Sequence, residues 1–303
     1  MSAQFELEPY DASQRGDYLR MLGDAWGGGA MGGETFDWWY DGNPTGSLRS
    51  VAVREGEVVG AAGHSLHRFV VDGRERLGQF SVHAVTAPAA RGLGIFRALE
   101  VRHEEQGRER DSTCVLGFAS PPTHGIFLAH LGWTQVDRTR VWARPAPFGM
   151  RGARPRLERF GERHDAAYAA VAPRLRNHVV RDSRYLNWRY IESPRRYRWF
   201  DAPGGGFGVV GFTRRKGLKL ALVMELIGKG DDVGALLRGA LRAARGSVAL
   251  LAVPSPCIPR SRLARYGFVP TPYRLDFMGK GLAEPLAARM EAWSTSFGDT
   301  DFF

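Results

Sequence analysis

The sequence predicts an α/β protein made of two tandem domains, each a mixed β-sheet flanked by helices. Three observations support this prediction. The chain has 303 residues, which is more than one compact core usually contains. Segments typical of strands alternate with segments typical of helices. The second half also repeats sequence blocks of the first half in the same order.

The repeat consists of short blocks that occur once in each half. In both halves an aromatic block and a Val-Val-Gly block come first. A strand running into a Ser-Pro turn follows, and then a short helical block that ends in Gly and an aromatic residue. The matched pairs are residues 112–121 and 247–256, residues 128–133 and 263–268, Trp38, Tyr40 and Pro44 with Trp188, Tyr190 and Pro194, and residues 58–60 and 209–211. Their common order indicates a duplicated unit.

In the first half, apolar periodicity and turn residues predict the elements of one unit. An amphipathic helix is expected at residues 12–24, a Gly-rich turn at 27–29 and an aromatic segment at 36–40. A hairpin follows, with strands at residues 50–54 and 58–66 around the turn at 55–57. The remaining elements are a strand at residues 79–86, a helix at 92–109, a strand at 113–118, a short helix at 125–130 and a strand at 134–142.

The second half has its own versions of these elements. They are strands at residues 208–214 and 218–227, a helix at 232–245, a strand at 248–253, a short helix at 260–265 and a strand at 273–278. The charged segment between the halves has the composition of a helix. We therefore predict domains at residues 1–145 and 181–280, a linker helix within 146–180 and a C-terminal tail at 281–303.

Composition narrows the classes of protein that fit. Residues 1–145 carry 15 basic and 18 acidic side chains, whereas residues 146–303 carry 27 and 14. A basic half is compatible with a nucleic-acid ligand, but charge alone says little about the partner. Cys114 and Cys257 lie in apolar runs and indicate buried thiols in a reducing compartment. The chain has no signal-peptide pattern and no apolar run long enough to span a bilayer, so we expect a cytoplasmic protein.

A Gly-rich turn between a strand and a helix is the most informative local motif. Gly92 and Gly94 follow the predicted strand and open the next helix, with Arg91 beside them. Such a turn presents backbone N–H groups at the positive end of a helix dipole, which suits a phosphate or diphosphate. An ordinary left-handed turn is the alternative, because short Gly patterns are weak signals. At the matching place of the second half, Asp231 and Asp232 precede the helix and would repel an anion.

The motif at residues 86–96 resembles that of the GCN5-related N-acetyltransferase (GNAT) superfamily. In that family a strand exits through a Val-x-Pro-like segment into Arg/Gln-x-x-Gly-x-Gly/Ala at a helix start. The resemblance covers residues 79–142 and extends to the tandem halves, the second being degenerate. It implies acetyl-CoA or another acyl-CoA as co-substrate and no metal. The residues that would bind this co-substrate are Ala84, Val85 and Thr86 along its pantetheine arm and Arg91, Gly92, Leu93, Gly94, Ile95 and Phe96 around its diphosphate.

Two positions depart from the family pattern. Phe96 stands where the family usually has Gly or Ala, so the helix start is bulkier. The tyrosine that often serves as general acid aligns with Leu128, so that acid is absent here.

Amide formation needs a base for the ammonium and a proton donor for the departing thiolate. His83 is the candidate base, because it lies on the strand beside the expected thioester and imidazole titrates near neutral pH. A half-buried histidine with purely structural partners fits equally well. Ser120 and His124 follow the next strand and are candidate donors, although turn capping explains both. For the acceptor pocket we expect Glu34 and Asp37, which suit a cationic amine, and Trp39, which has no aromatic counterpart in the second half.

These features predict an acyl-CoA-dependent N-acyltransferase, with acetyl-CoA as the expected donor, that transfers its acyl group directly to an amine. The acceptor is a small molecule or a carrier-linked group, and an acidic acceptor would match the basic half. A membrane partner is not expected, and neither is a nucleic acid. Two alternatives stay open, namely a non-catalytic sensor of CoA or another metabolite and a basic nucleic-acid-associated protein.

Overall fold

The computed structural model describes residues 5–27, 31–146, 158–230, 232–284 and 293–300. Helices and strands are interspersed along the chain, and the predicted α/β fold class is confirmed. Parts of the predicted Gly-rich turn, of the linker and of the tail lie outside the described residues, and so does Asp231. The chain divides into two compact units.

The described elements are numbered in chain order. The strands are β1 (Glu6–Pro9), β2 (Ser47–Arg54), β3 (Glu57–Val71), β4 (Arg74–Thr86), β5 (Cys114–Phe118), β6 (Thr134–Pro145), β7 (His178–Val179), β8 (Tyr197–Asp201), β9 (Phe207–Arg215), β10 (Leu218–Ile227), β11 (Ala249–Ala252) and β12 (Val269–Gly281). The helices are α1 (Arg15–Trp26), α2 (Gly33–Tyr40), α3 (Ile95–Arg108), α4 (Pro121–His130), α5 (Glu162–Ala169), α6 (Ser183–Leu186), α7 (Val233–Ala243) and α8 (Arg260–Arg265).

Unit 1 takes its described residues from Met1–Arg68, Arg76–Val136 and Phe277–Met290. Its strands follow the order β1-β2-β3-β4-β5 and end with the last residues of β12. Strands β4 and β5 are parallel, whereas Phe277–Gly281 pairs with β5 in the antiparallel sense. The final strand of unit 1 therefore comes from far along the chain.

Helix α3 is held against this sheet by its apolar first turns. Ile95 and Leu99 are buried and pack with Ala52 and Ala62 of the hairpin strands. Gly60 makes this approach possible, because a β-carbon at that position would overlap Ile95. This packing fixes the beginning of α3 beside the end of β4.

Unit 2 takes its described residues from Phe69–Glu75, Asp137–Asp276 and Glu291–Phe303. Its strands follow the order β6-β11-β10-β9-β8, with the first part of β12 beside β6. Strands β10 and β11 are parallel, and the other pairs recorded along this order, β6 with β11, β10 with β9 and β9 with β8, are antiparallel. Helix α7 covers this sheet with a buried face that includes Leu236, Leu237 and Ala240.

Several elements differ from the sequence prediction. The aromatic segment at residues 36–40 forms the last five residues of helix α2. The predicted linker does contain a helix, α5, among its described residues. Strand β8 is an additional element, formed by an Arg-rich aromatic segment. Residues 137–145, assigned by sequence to the first domain, lie in unit 2. The predicted boundary at residue 145 followed the order of the chain. Strand β6, which ends at that boundary, pairs with β11 of the second half.

The two cysteines lie in different environments. Cys114 is buried, and this burial raises the pKa of its thiol to about 12. Cys257 is only half-buried, and burial again raises its pKa. Both thiols are therefore protonated at neutral pH.

Candidate active site

The turn between β4 and α3 has the backbone geometry that its glycines permit. Residues 88–90 form a short 3-10 turn, and Arg91 is extended. Gly92 and Gly94 then adopt φ angles of 85° and 80°, and Gly94 is the residue that precedes helix α3. Residues with a β-carbon rarely take up such angles. The sequence motif at this position is therefore required by the shape of the turn.

The same turn leaves a row of backbone donors unpaired. In the described part of the chain, the N–H groups of residues 92–96 donate no hydrogen bond to another backbone or side-chain atom. A β-carbon added to Gly92 or Gly94 would meet no atom within 4 Å, and the neighbouring Arg91 is exposed. Unpaired N–H groups at the positive end of a 14-residue helix form a site suited to a diphosphate.

Strands β4 and β5 separate next to this turn. Their recorded pairing joins Gln79 to Val115 and Phe80 to Leu116. Strand β4 then continues to Thr86, whereas β5 ends at Phe118. The residues expected along the pantetheine arm, Ala84, Val85 and Thr86, all lie beyond the paired section. An extended amide-bearing chain can bind between strands that part in this way.

His83 lies within β4 at an irregular backbone position. Its φ angle of 53° falls in the left-handed region, which is uncommon for a residue with a β-carbon inside a strand. The hydroxyl of Tyr18 donates a hydrogen bond of 2.9 Å to the His83 carbonyl oxygen. The Tyr40 hydroxyl lies 3.0 Å from Nδ1 of the imidazole. Two tyrosines thus fix both the backbone and the ring of His83.

The surroundings of His83 are aromatic and buried. The imidazole packs edge-on against Trp39, with ring centroids 5.6 Å apart, and its side chain is buried. Burial raises the pKa of Tyr18 far above the usual range for a phenol, so its hydroxyl stays protonated as a donor. Sequence reasoning missed Tyr18, which carries no local signal, and used Tyr40 only as a matched position of the repeat.

The two candidate proton donors lie at the start of α4. Ser120 precedes this helix, and its hydroxyl is 2.9 Å from that of Thr123. The backbone N–H of Ser120 also donates to the Thr123 hydroxyl, at 3.1 Å, which completes a capping box. Ser120 therefore caps the helix. His124 is half-buried in the first turn of α4, and Leu128 is 42% exposed one turn later.

The expected acceptor residues separate into different settings. Asp37 receives two hydrogen bonds of 2.8 Å from Arg15, so both of its oxygens are engaged. Glu34 is exposed in the first turn of α2, and Trp39 is buried beside His83. Trp26 is half-exposed at the end of α1, and the centroid of its ring lies 6.1 Å from that of the His83 ring. Glu34 and Trp39 remain candidates for the acceptor side, and Trp26 is added by its position beside His83.

Unit 2 has a different arrangement at the matching places. Asp232 is buried in front of α7, and its carboxylate lies against Gly204 and Gly228, close enough that a β-carbon on either glycine would meet it. An acidic side chain thus stands where unit 1 has open space. On β10, Glu225 lies at a register shift and accepts a hydrogen bond of 2.9 Å from Tyr190. In unit 1 the Tyr40 hydroxyl contacts His83, which lies on β4.

Comparison with solved structures identifies the fold. A GCN5-related N-acetyltransferase from Anabaena variabilis superposes with a TM-score of 0.69 at 13% identity, over 92% of this chain and 73% of that one. The chain has the GNAT fold. A GCN5-related N-acetyltransferase from Kribbella flavida matches with a TM-score of 0.64 at 17% identity, over 92% of this chain and 72% of that one.

A second type of protein shares this GNAT fold. N-myristoyltransferase from Saccharomyces cerevisiae, solved with bound myristoyl-CoA, matches with a TM-score of 0.67 at 12% identity, over 92% of this chain and 83% of that one. No protein-family model matches the sequence, and no curated protein matches it either. The predicted resemblance is thus confirmed at the level of the GNAT fold.

No group of three or more His, Cys, Asp or Glu side chains among the described residues is arranged to bind a metal ion. No helix among them is both long enough and apolar enough to cross a lipid bilayer.

Proposed function

We propose that the protein is an acyl-CoA-dependent N-acyltransferase whose donor site lies in unit 1. The observation that carries this proposal is the turn at residues 92–96 at the start of α3, where the N–H groups are unpaired and there is open space around Gly92 and Gly94. The parting of β4 and β5 beside this turn supports it. The GNAT fold supports it further, because the structures that share this fold include enzymes of acyl transfer.

The donor would be held by three parts of the chain. The N–H groups of residues 92–96 and the Arg91 guanidinium bind the diphosphate. The backbone of Ala84, Val85 and Thr86, beyond the section that pairs with β5, binds the pantetheine arm. The bound thioester supplies the activated acyl group, with acetyl-CoA as the proposed donor. Backbone N–H groups and an arginine can balance the charge of a diphosphate without a metal ion.

His83 is the proposed base that takes the proton from the acceptor ammonium. For this role Nδ1 carries the ring hydrogen and donates it to the Tyr40 hydroxyl oxygen, so that Nε2 accepts the proton. The Tyr40 hydroxyl can then donate to that of Tyr18, 3.5 Å away, and Tyr18 donates to the His83 carbonyl. This chain of donors selects one tautomer and holds the ring still.

His124 is the proposed proton donor to the departing thiolate. It lies in the first turn of α4, the helix that follows β5, and β5 is one of the two strands that part beside the donor site. Ser120 is less suited to donate this proton, because its hydroxyl already binds that of Thr123. The amine attacks the acyl carbon directly, and the acyl group passes to nitrogen while the sulfur leaves and takes up a proton. Trp26 and Trp39 suit an acceptor with an apolar body, and Glu34 suits its ammonium.

Unit 2 is proposed to be a copy that no longer binds the donor. The buried carboxylate of Asp232 supports this, because it fills the space before α7, the place that the sequence repeat matches to the open turn of unit 1. The pairs Tyr40–His83 and Tyr190–Glu225 support common descent of the two units.

The test combines binding with turnover. Calorimetric titration with acetyl-CoA should show one site per chain, and thiol release with a panel of amines should identify the acceptor. Absence of acetyl-CoA binding by the native protein would refute the proposal. A CoA sensor is the second candidate, favoured by the exposed Leu128 at the place of the family's tyrosine acid. Tight binding without thiol release from any amine would decide for the sensor.

A further inference from the structure

One end of the unit 2 sheet carries a cluster of cations. Strands β9 and β10 are joined by a two-residue turn, Lys216 and Gly217, whose φ angles of 49° and 77° make a tight hairpin. Arg214 pairs with Lys219 across this hairpin, and Arg215 pairs with Leu218. Four cationic side chains therefore lie within one turn and its two flanking strand ends.

Neighbouring elements add further cations to this end. Arg198 of β8 and Lys219 both lie over the ring of Phe212, at 4.9 Å and 5.0 Å from its centroid. The N–H of Val248 donates a hydrogen bond to the carbonyl of Lys219. Because of this bond, Arg245, which lies between the end of α7 and Val248, is close to the hairpin. We call the resulting set the basic end. It consists of Arg198, Arg214, Arg215, Lys216, Lys219 and Arg245.

The cations of the basic end lack acidic partners. Within the part of the chain that the structure describes, none of the six forms an ion pair, whereas Arg163 and Arg181 of the same unit do. Clustered like charges repel each other, and in water each exposed pair costs a small amount of stability. An anionic partner would remove this cost.

Exposed apolar side chains lie on one face of the same end. Arg215 lies 5.5 Å from the centroid of the Tyr273 ring, so both are on one face of the sheet. Leu218, the cross-strand partner of Arg215, shares that face. Tyr273 is 62% exposed and Leu218 is 53% exposed. Val269, on the same strand as Tyr273, is 60% exposed.

We propose that this face of the basic end docks an acidic protein segment. The partner has carboxylates that pair with the arginines and apolar side chains that cover Leu218, Val269 and Tyr273. Protein interfaces favour such a mixture, with Tyr and Arg enriched. The phosphates of a nucleic acid would pair with the cations but would gain nothing from exposed Leu218 and Val269 side chains. The aliphatic residues therefore favour a protein partner.

The test uses a fluorescein-labelled helical peptide with Glu on one face and Leu on the other. Its binding to the full chain is followed by anisotropy, beside a Gln-for-Glu peptide, a single-stranded RNA and vesicles containing phosphatidylserine. We expect the acidic peptide to bind and the Gln analogue to bind at least about tenfold more weakly. Failure of the acidic peptide to bind, or tighter binding of RNA or vesicles, would overturn the proposal.

Two pairs of substitutions locate the site. Arg214→Glu with Arg215→Glu should weaken the peptide complex about tenfold or more. Arg260→Glu with Arg262→Glu on exposed α8 makes the same change in net charge and should leave binding nearly unchanged. An equal loss in both variants would show a general charge effect and contradict the docking site.

A third variant separates protein from nucleic-acid recognition. Leu218→Ser with Tyr273→Ser removes apolar surface without changing charge. It should weaken the peptide complex about tenfold while RNA binding stays the same. If peptide binding does not change, the apolar face is not part of the site. Circular dichroism melting checks that each variant is folded.

Discussion

The turn before α3 allows a prediction that separates charge from backbone strain. Gly94 has φ 80° and ψ 10°, and no atom lies within 4 Å of an added β-carbon. Asn tolerates this left-handed conformation better than other residues with a side chain. Gly94→Asn therefore tests the added side chain alone. Gly94→Asp has the same shape and adds one negative charge where the diphosphate is proposed to bind.

The size of the charge effect follows from Coulomb's law. A carboxylate about 5 Å from one phosphate charge costs about 1 kcal/mol in water and about 3 kcal/mol at an effective dielectric constant near 20. The Kd of acetyl-CoA should therefore rise roughly 5- to 150-fold from the Asn variant to the Asp variant. The difference should shrink at high salt, because exposed charges are screened.

Isothermal titration of both variants and the native protein measures this difference. Titration with dephospho-CoA serves as a control, because it retains the diphosphate and should show a loss of similar size. Equal Kd values for the Asn and Asp variants at low salt would refute the assignment of the turn. Melting curves should place both variants within a few degrees of each other, since residue 94 is exposed.

Three further predictions concern the buried polar groups of unit 1. Tyr40→Phe removes only the hydroxyl that lies 3.0 Å from His83 Nδ1. It should lower kcat about tenfold and shift the pH–rate profile, while the affinity for acetyl-CoA stays unchanged. An unchanged pH–rate profile would contradict the role of this tyrosine. In Gly63→Ala the added β-carbon would overlap the Tyr40 hydroxyl. This variant should show the same loss of kcat, and its free energy of unfolding in urea should fall by about 1–3 kcal/mol. Wild-type kinetics would contradict this prediction. His103 is buried beside His64 and Arg102, and burial lowers its pKa well below 6.5, so the unfolded chain alone binds this proton. The free energy of unfolding should therefore fall by up to about 1.4 kcal/mol per pH unit below pH 6.5, and His103→Gln should flatten that slope.

The sequence predicted features that are set by neighbouring residues. The turn of Gly92 and Gly94 is such a case, because left-handed backbone selects glycine and leaves a visible motif. The hairpin turn at Glu55 and Gly56 is another, with φ angles of 55° and 81°. In both places the residue types and the local geometry imply one another.

Features made by distant residues could not be predicted in this way. Tyr18 and His83 meet across 65 positions of sequence, and nothing near Tyr18 marks its hydroxyl as a partner of a strand carbonyl. The left-handed angle at His83 has no sequence signal either, because a histidine inside a strand pattern is expected to be extended. The hydrogen bond that accompanies this conformation comes from Tyr18, which is distant in sequence.

The pairing of Phe277–Gly281 with β5 has a consequence for biosynthesis. After β5 has been translated, about 160 more residues must be added before Phe277–Gly281 is complete, which takes roughly ten to thirty seconds. During that interval one side of β5 is an open edge, and open edges readily pair with other chains. The nascent first half therefore depends on protection by a chaperone or on rapid completion of the chain. A fragment ending near residue 145 should aggregate when expressed alone, although it holds every residue proposed to bind the donor.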